Sequence, residues 1–530
     1  MKIEDMRASR TCVHLEFTFL FLYIKSMEIK HAHEIETHST NSSVFSAARW
    51  GLPVEAVKDI GGQLHGIWQR FHKCFTTLRH DTSAYALIYL KGLMLLPNNR
   101  NYVNIMRKIE SPDSDGQNLQ HYMSDSSWPE TAVFDQLQSE IRQDQRLHGG
   151  MLTLDESGDV RAGDKSAGAA RQYIGNVGKL EMGQVGVALG YYAANVWTMV
   201  DAELFLPEIW FDEAHKKLHR RLHIPEDRQF QTKVEIGLKR IDRAQSNGLP
   251  FSRLSCDALY GKSHEFRAEL DGRKILYLAD ISCNLQVYLQ EPSVGIPSKT
   301  PGTAGRPPTR CQILNGVEPL EVRAIAQLPE IAFETIDIRA CERGRLYYDC
   351  ASKPVWTITD EGMVRREILF IHRESDGSHT YSLSNAPATV PLSTLAQWRS
   401  ERYFVERTFQ DAKSEGGWDE LVAQKYRAWM HHTALDALAL WFIAQTKLAW
   451  AENHPPDSTL ADELQIDKLP ALSMANLRVL LQAVMPLKQL SVDQAIDLVV
   501  KHLVERSAST RSRLKNHSRK TKKRKRKKLT

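Results

Sequence analysis

Two stretches are most informative about the fold: Met151-Leu152-Thr153-Leu154-Asp155 and Phe251-Ser252-Arg253-Leu254-Ser255-Cys256-Asp257, whose final aspartates are 102 positions apart. Each ends in an aspartate after a short, largely apolar run, a pattern that favours a buried strand. The carboxyl ends of neighbouring strands in an α/β sheet meet at one edge, where such sheets build their sites. The two aspartates are therefore expected to lie together.

The segments around these stretches predict a mixed α/β sheet. Residues 184–192 and 196–206 form two apolar runs joined by a tight turn, and 234–244 has helical periodicity. A helix over 263–270 and a strand over 275–279 complete the unit. Three strands, a helix, a strand, a helix and a strand is the element order of an α/β domain.

The rest of the chain divides by composition. The expected parts are a poorly ordered extension at 1–48, with Met27 as the natural start, a helical candidate DNA-binding domain at 49–147, an α/β core at 148–280 and 392–425, a β-rich insertion at 281–391, a helical region at 426–506 and a basic, disordered tail at 507–530. The apolar stretch 13–24 is interrupted by Glu16 and is too short to span a bilayer, so no membrane role is expected.

The net charge of +5 comes from the tail. Residues 511–528 contain twelve Lys or Arg and no Asp or Glu; without them, 57 basic residues stand against 64 acidic ones. Such a run favours binding to a polyanion such as DNA, through phosphate contacts that do not distinguish one base sequence from another. The seven cysteines contain no Cys-x-x-Cys pair, which predicts free thiols in a reducing compartment.

Paired carboxylates point to phosphodiester chemistry. Two Mg²⁺ ions roughly 3.5–4 Å apart can activate a nucleophile and stabilise the leaving oxygen, and Mg²⁺ prefers carboxylate oxygens. A third carboxylate should come from a helix packed on the same sheet edge. The helical segment 395–415 offers Glu401, Glu406, Asp411 and Glu415, and the physical pattern leaves the choice among them open.

Three blocks of the chain resemble bacterial insertion-sequence DDE transposases. The blocks are Leu154-Asp155-Glu156-Ser157-Gly158 with Arg171-Gln172-Tyr173 and Gly178-Lys179, then Asp257-Ala258-Leu259-Tyr260-Gly261, then Arg402-Tyr403-Phe404-Val405-Glu406 with Lys413. The third block is similar to the family signature Tyr-x₂-Arg-x₃-Glu-x₆-Lys. Arg399 stands at the Tyr position of that signature, so no tyrosine role is carried over. Glu156 and Ser157 replace the commoner Asp and Thr but leave Asp155 in place.

The resemblance implies an RNase H-like mixed sheet core with a β-rich insertion, flanked by helical N- and C-terminal regions. It implies that Asp155, Asp257 and Glu406 are catalytic and hold two Mg²⁺ ions, with Mn²⁺ as a substitute. Arg402 and Lys413 would contact terminal phosphates. The 149 positions between Asp257 and Glu406 agree with an insertion before the last catalytic helix.

The implied activity is metal-dependent cleavage of the ends of an insertion sequence and strand transfer into new DNA. The implied partners are double-stranded DNA, as terminal inverted repeats and target, and a second copy of the chain in a synaptic homodimer. The implied location is the bacterial cytoplasm, at the nucleoid.

Three rival interpretations stay open. The first is a non-transposing nuclease of the same fold, and the second is a decayed element or a DNA-binding repressor without strand-transfer activity. The third is a structural polyanion binder that acts through the tail. His431 and His432 are adjacent and point to different helix faces, so core positions or phosphate contacts are favoured over metal ligation.

Overall fold

The computed structural model describes residues 43–77, 80–297, 309, 311–341, 344–421, 423–488 and 491–527. Most of the expected N-terminal extension, residues 1–42, lies outside the described residues, as do 298–308 of the proline-rich loop and 528–530 of the tail. In the described part of the chain, no helix is both long and apolar enough to cross a bilayer.

The strands fall into a core group and an inserted group. The core strands are β1 (Gly150–Val160), β2 (Ala170–Ile174), β3 (Lys179–Ala193), β4 (Val196–Leu204), β5 (Phe251–Cys256) and β6 (Leu276–Ile281). The inserted strands are β7 (Gln286–Val287), β8 (Val294–Gly295), β9 (Gln312–Ile313), β10 (Leu320–Glu321), β11 (Glu334–Cys341), β12 (Gly344–Ile358), β13 (Val364–Arg373) and β14 (His379–Ser384).

The helices lie before, within and after this sheet. Those before and within the core are α1 (Val54–Phe71), α2 (Ser83–Leu95), α3 (Tyr102–Ile109), α4 (Gln117–Ser124), α5 (Glu130–Gln143), α6 (Glu213–Leu222), α7 (Lys233–Ser246), α8 (Ala258–Gly261) and α9 (His264–Gly272). The later ones are α10 (Val322–Ile325), α11 (Leu392–Glu401), α12 (Tyr403–Asp411), α13 (Tyr426–Asn453), α14 (Thr459–Glu463), α15 (Met474–Val484) and α16 (Val492–Lys527).

The core sheet has the strand order β4-β3-β1-β5-β6. β1 pairs with β3, and β3 with β4, in antiparallel fashion, whereas β1–β5 and β5–β6 are parallel. The β3–β4 hairpin turns through Ala194 and Asn195, whose φ angles of 49° and 61° are those of the tight turns that match strand twist. This mixed order confirms the RNase H-like core.

The inserted strands continue the core sheet. β14 pairs antiparallel with β6, and β13, β12 and β11 follow outward, so the described residues form one ten-stranded sheet. The β-rich stretch expected at 281–391 thus supplies strands that share backbone hydrogen bonds with the core.

Helix α13 is the most deeply buried of the long helices. It packs against β4 and against α5, α2 and α4 of the N-terminal helices. His431 Nδ1 and Nε2 lie 3.0 Å from the carbonyl oxygens of Met123 and Trp128, and burial lowers its pKa to about 3. His432 lies 2.8 Å from Tyr89 Oη, and burial lowers its pKa to about 4. Both histidines are neutral core residues.

The C-terminal segment is helical further than expected. Helix α16 continues from Val492 to Lys527, through most of the segment for which the sequence favours disorder. Lysine and arginine are good helix formers, and cations near a helix C-terminus are favourable with its dipole, so the same composition also suits a helix.

A buried carboxylate ties the insertion to the core. Glu367 on β13 is fully enclosed and accepts hydrogen bonds from Arg267 Nε of α9 at 2.8 Å and from Tyr277 Oη of β6 at 2.5 Å. Thr357 Oγ1 of β12 donates at 2.5 Å. Burial alone would raise the pKa of Glu367, but Arg267 and these donors hold it below its ordinary value.

We expect Glu367→Ala to lower the free energy of unfolding by about 3–5 kcal/mol, because it leaves the enclosed Arg267 guanidinium without its counter-ion. Urea unfolding followed by circular dichroism measures the loss. Glu361→Ala, in the exposed turn between β12 and β13, is the control and should change stability by less than about 0.5 kcal/mol. Equal effects at the two positions would contradict this role of Glu367.

Candidate active site

The parallel pairing of β1 with β5 brings the two predicted aspartates together. Leu154 is in register with Cys256, so Asp155 and Asp257 follow on neighbouring strands. The amide of Glu156 donates to Asp155 Oδ1 at 2.7 Å. Asp257 caps helix α8 and accepts at Oδ1 from the amides of Leu259 at 3.0 Å and Tyr260 at 3.4 Å. Backbone amides therefore fix both carboxylates.

The expectation that Asp155 ends its strand is wrong. β1 continues to Val160, because its antiparallel partner β3 keeps pairing with it as far as Gly183. The parallel partner β5 ends at Cys256. Asp155 therefore follows the last residue of β1 that pairs with β5, although β1 itself continues. The aspartate nevertheless reaches the same edge as Asp257.

The short helix after Asp257 requires the glycine that ends it. A side chain at Gly261 would collide with the carbonyl oxygen of Asp280 on β6. Because α8 begins directly at the carboxyl end of β5, this close approach keeps its first turn, and with it Asp257, against the sheet edge.

The two carboxylates repel each other. Burial and, second, the charge of Asp257 raise the pKa of Asp155 from 3.8 to about 7, although the charge of Arg402 acts to lower it. A bound cation reduces the repulsion between two adjacent carboxylates. The electrostatics of the Asp155–Asp257 pair therefore favour cation binding.

Glu406 lies on α12 and is exposed. It follows Arg402 by four residues and precedes Lys413, which lies in the π-helical turn after α12, by seven. Within the described ranges, no group of three or more His, Cys, Asp or Glu side chains is placed to hold a metal ion. The structure thus brings Asp155 and Asp257 together but does not assemble Glu406 with them.

The two predicted phosphate contacts lie along the sheet edge. Arg402 Nη1 donates to the Cys256 carbonyl at 3.4 Å and forms an ion pair with Asp280. Lys413 Nζ donates to the Gly158 carbonyl at 3.2 Å and lies 3.0 Å from Asp159 Oδ1. The helical segment that carries Glu406 therefore contacts the end of β5 through Arg402 and the distal half of β1 through Lys413.

A π-helical turn follows α12. It spans Ala412–Gly416 and carries Lys413. π-helical turns are rare in proteins, and those that occur are often found at functional sites. At its last residue, Gly416, a Cβ would overlap the buried Asp436 carboxylate of α13, so a larger residue there would require Asp436 to move.

Asp280 was missed by the sequence reasoning. It lies on β6 directly after Ala279, which is in register with Cys256, and it contacts both Arg402 and Arg399. The signal was present, because 275–280 is a third apolar run ending in an aspartate, as in the two stretches that are most informative about the fold.

The residues at this edge fit a divalent cation. Mg²⁺ is usually held by one or two carboxylates, with water and substrate phosphates completing its coordination. Asp155 and Asp257 supply hard oxygen donors on adjacent strands, and their mutual repulsion is a reason to bind a cation.

Sheet order and paired carboxylates together define the RNase H-like class of nucleic-acid-processing proteins. Residues 70–345 match the model of the family described as DDE superfamily endonuclease. The match takes in about half of the chain, so this protein belongs to that family. Asp155 and Asp257 lie within the matched residues, and Glu406 lies beyond them.

A curated relative agrees with this assignment. Over 175 residues the chain is 29% identical to a probable transposase for insertion sequence element IS701 from Microchaete diplosiphon. The aligned segment is 33% of this chain and 42% of the relative, so the match spans less than half of that protein. The resemblance to insertion-sequence DDE transposases is confirmed.

We expect Asp155→Asn to stabilise the protein at pH 8 in the absence of divalent ions, by on the order of 1–2 kcal/mol. The raised pKa means that the unfolded chain ionises Asp155 near pH 4, whereas the folded protein ionises it only near pH 7. The native state is therefore penalised progressively between these values and constantly above pH 7.

Urea unfolding of both proteins in EDTA at pH 5 and pH 8 measures the effect. The difference between variant and wild type should be larger at pH 8 than at pH 5. A variant that is less stable than wild type at pH 8 would show that Asp155 is not a strained carboxylate.

Proposed function

We propose that this protein is a DDE transposase, which cleaves the ends of an insertion sequence and transfers the freed strand to target DNA. The observation that carries the proposal is the pairing of Asp155 with Asp257 at the edge of an RNase H-like sheet. Membership of the DDE endonuclease family and the similarity to a probable insertion-sequence transposase support it.

Asp155 and Asp257 would hold divalent cations, in our proposal two Mg²⁺ ions, with Mn²⁺ as a substitute. Bound there, the ions would activate the attacking oxygen and stabilise the leaving oxygen of an in-line displacement. The backbone amides at Asp155 Oδ1 and Asp257 Oδ1 orient the two carboxylates for this task.

Glu406 would complete the ligand set when DNA binds. It is exposed on the helical segment that Arg402 and Lys413 join to the sheet edge, and in our proposal α12 moves on DNA binding to bring it to the paired aspartates. The break before α12 at Arg402 and the π-turn after it provide places where the helix can adjust.

Arg402 and Lys413 would contact DNA phosphates near the reacting bond. Each has a protein partner in the structure, and each lies at the edge where the ends of β1 and β5 meet. A planar guanidinium with five N–H donors can keep one carboxylate partner and still bind a phosphate.

The proposed reaction is a hydrolysis followed by a transesterification. In the first step water forms a P–O bond at the element's end as the P–O3′ bond breaks, which leaves a 5′-phosphate and a free 3′-hydroxyl; that hydroxyl then attacks a target phosphodiester in line. One ester bond forms as one breaks in the second step, so no nucleotide cofactor is consumed. On this proposal the enzyme would act on double-stranded DNA at the bacterial nucleoid.

The exposed face of α16 supports assembly with a second copy of the chain. Ile496, Val499, Val500 and Leu503 follow the i, i+3, i+4, i+7 pattern of an apolar helix face, and each is more than half exposed. Antiparallel pairing of two such helices would place Asp493 and Asp497 of one opposite Lys501 and Arg506 of the other. A synaptic homodimer would bury this face.

We expect Asp155→Asn, Asp257→Asn and Glu406→Gln each to reduce strand transfer on the order of 10²–10³-fold or more, because each removes a charge that stabilises the transition state. Labelled element ends and a supercoiled target plasmid measure cleavage and joining separately. Binding of the ends should survive all three substitutions.

Glu361→Gln, with the same charge change in an exposed turn, is the matched control and should retain activity. End cleavage without joining by the wild-type protein would favour a non-transposing nuclease. Retained cleavage by Asp155→Asn would rule out the proposed site, and inactivity of the wild type with intact end binding would favour a decayed element or a repressor.

Deletion of residues 511–530 should weaken binding to non-specific DNA and reduce its salt dependence, because up to twelve phosphate contacts are lost. Binding to the terminal repeats should persist. Filter binding or fluorescence anisotropy over a salt series, with repeat and scrambled duplexes, distinguishes the two. Loss of all binding would favour the structural polyanion binder.

A further inference from the structure

Three aspartates stand side by side at the sheet edge. Leu154 on β1 is in register with Cys256 on β5, which is in register with Ala279 on β6. The residues that follow these positions are Asp155, Asp257 and Asp280. The third aspartate therefore belongs to the same edge as the proposed metal ligands.

Asp280 is engaged at both of its oxygens. Oδ1 accepts a hydrogen bond from Ser382 Oγ on β14 at 2.7 Å. Oδ2 pairs with the Arg402 guanidinium and lies 3.5 Å from Arg399 Nη2. These contacts leave Asp280 poorly placed to act as a metal ligand and well placed to hold Arg402.

Arg402 is close enough to the carboxylate pair to compete with a cation. Its Nη1 also donates to the Cys256 carbonyl, one residue before Asp257, and its charge acts directly on Asp155. A guanidinium released from Asp280 would meet two repelling carboxylates next to it. Its five N–H groups could then donate hydrogen bonds to the Asp155 and Asp257 carboxylates, which are the proposed metal ligands.

We propose that Asp280 is a positioning residue, which keeps the Arg402 guanidinium over the ends of β5 and β6 and off the Asp155–Asp257 pair. The pair is thereby left open to a divalent cation, and the remaining N–H groups of Arg402 are left for a DNA phosphate. The inference rests on the proposed function for the presence of the metal.

The inserted strands give this role a structural basis. Ser382, which holds the second oxygen of Asp280, is on β14, the inserted strand that pairs with β6. The β-rich insertion thus contributes to the geometry of the proposed site through one hydroxyl group.

The test measures Mn²⁺ binding to the full chain without DNA, by isothermal titration calorimetry. Asp280→Asn should weaken Mn²⁺ binding about tenfold, as the loss of outer partners does at other metal sites. Adding Arg402→Gln in the same chain should restore affinity to within about twofold of the Arg402→Gln single variant, because the competing guanidinium is gone.

Asp337→Asn is the matched control, since it makes the same charge change at an ion pair with Arg345 on the exposed β11–β12 hairpin. It should leave Mn²⁺ affinity unchanged. If Asp280→Asn does not fold, Ser382→Ala, which frees Asp280 Oδ1, should weaken binding in the same direction and be reversed by Arg402→Gln.

Each outcome decides between the alternatives. Unchanged Mn²⁺ affinity in Asp280→Asn overturns the positioning role, and so does a loss that Arg402→Gln leaves in place, which would make Asp280 act directly. Wild-type protein that binds no Mn²⁺ overturns the metal site of the proposed function and this inference with it. Binding by wild type with no effect of Asp280 overturns this inference alone.

Discussion

The register between β1, β5 and β6 is the constraint on which the site depends. Leu154, Cys256 and Ala279 pair across three parallel strands, and this pairing turns distant chain positions into a row of three aspartates. Backbone hydrogen bonds between the strands fix the relative positions of the three aspartates, so these positions depend little on side-chain flexibility. A slip of one residue in any of these strands would turn an aspartate to the opposite face and dismantle the pair.

That arrangement carries an energetic cost in the absence of ligands. Asp155 is held next to Asp257 although burial and like charge both oppose its ionisation. Functional sites commonly retain unfavourable interactions of this kind, while the surrounding structure supplies the free energy that keeps the protein folded. Here the neutral histidines of α13 and the apolar packing around them contribute to that stability.

The inserted strands are part of this support. Glu367 on β13 joins Arg267 and Tyr277 of the core in a closed ionic and hydrogen-bonded group. In addition, Arg339 of β11 lies 4.8 Å from the ring centroid of Phe404 on α12, and Phe404 stacks on Tyr192 of β3 with ring centroids 4.1 Å apart. The insertion therefore contacts the helix that carries Glu406 as well as the strand that carries Asp280.

Local sequence patterns were enough to predict the helices and strands of the core and to single out Asp155 and Asp257. Short apolar runs ending in Asp155 and Asp257, and the hairpin between β3 and β4, depend on periodicity and turn chemistry over a few residues. Resemblance was needed to choose Glu406 among several acids on one helix, because a solvated helix face and a ligand-bearing one have the same pattern. The roles of these three residues stay predictions.

The features that depend on pairing across the sheet became visible only in the folded chain. The continuation of β1 past Asp155 follows from β3, and the fusion of the insertion with the core follows from the β14–β6 pairing. The contact of Arg402 with Asp280 likewise joins residues 122 positions apart. No local pattern encodes such contacts, because they depend on which strands become neighbours once the whole chain has folded.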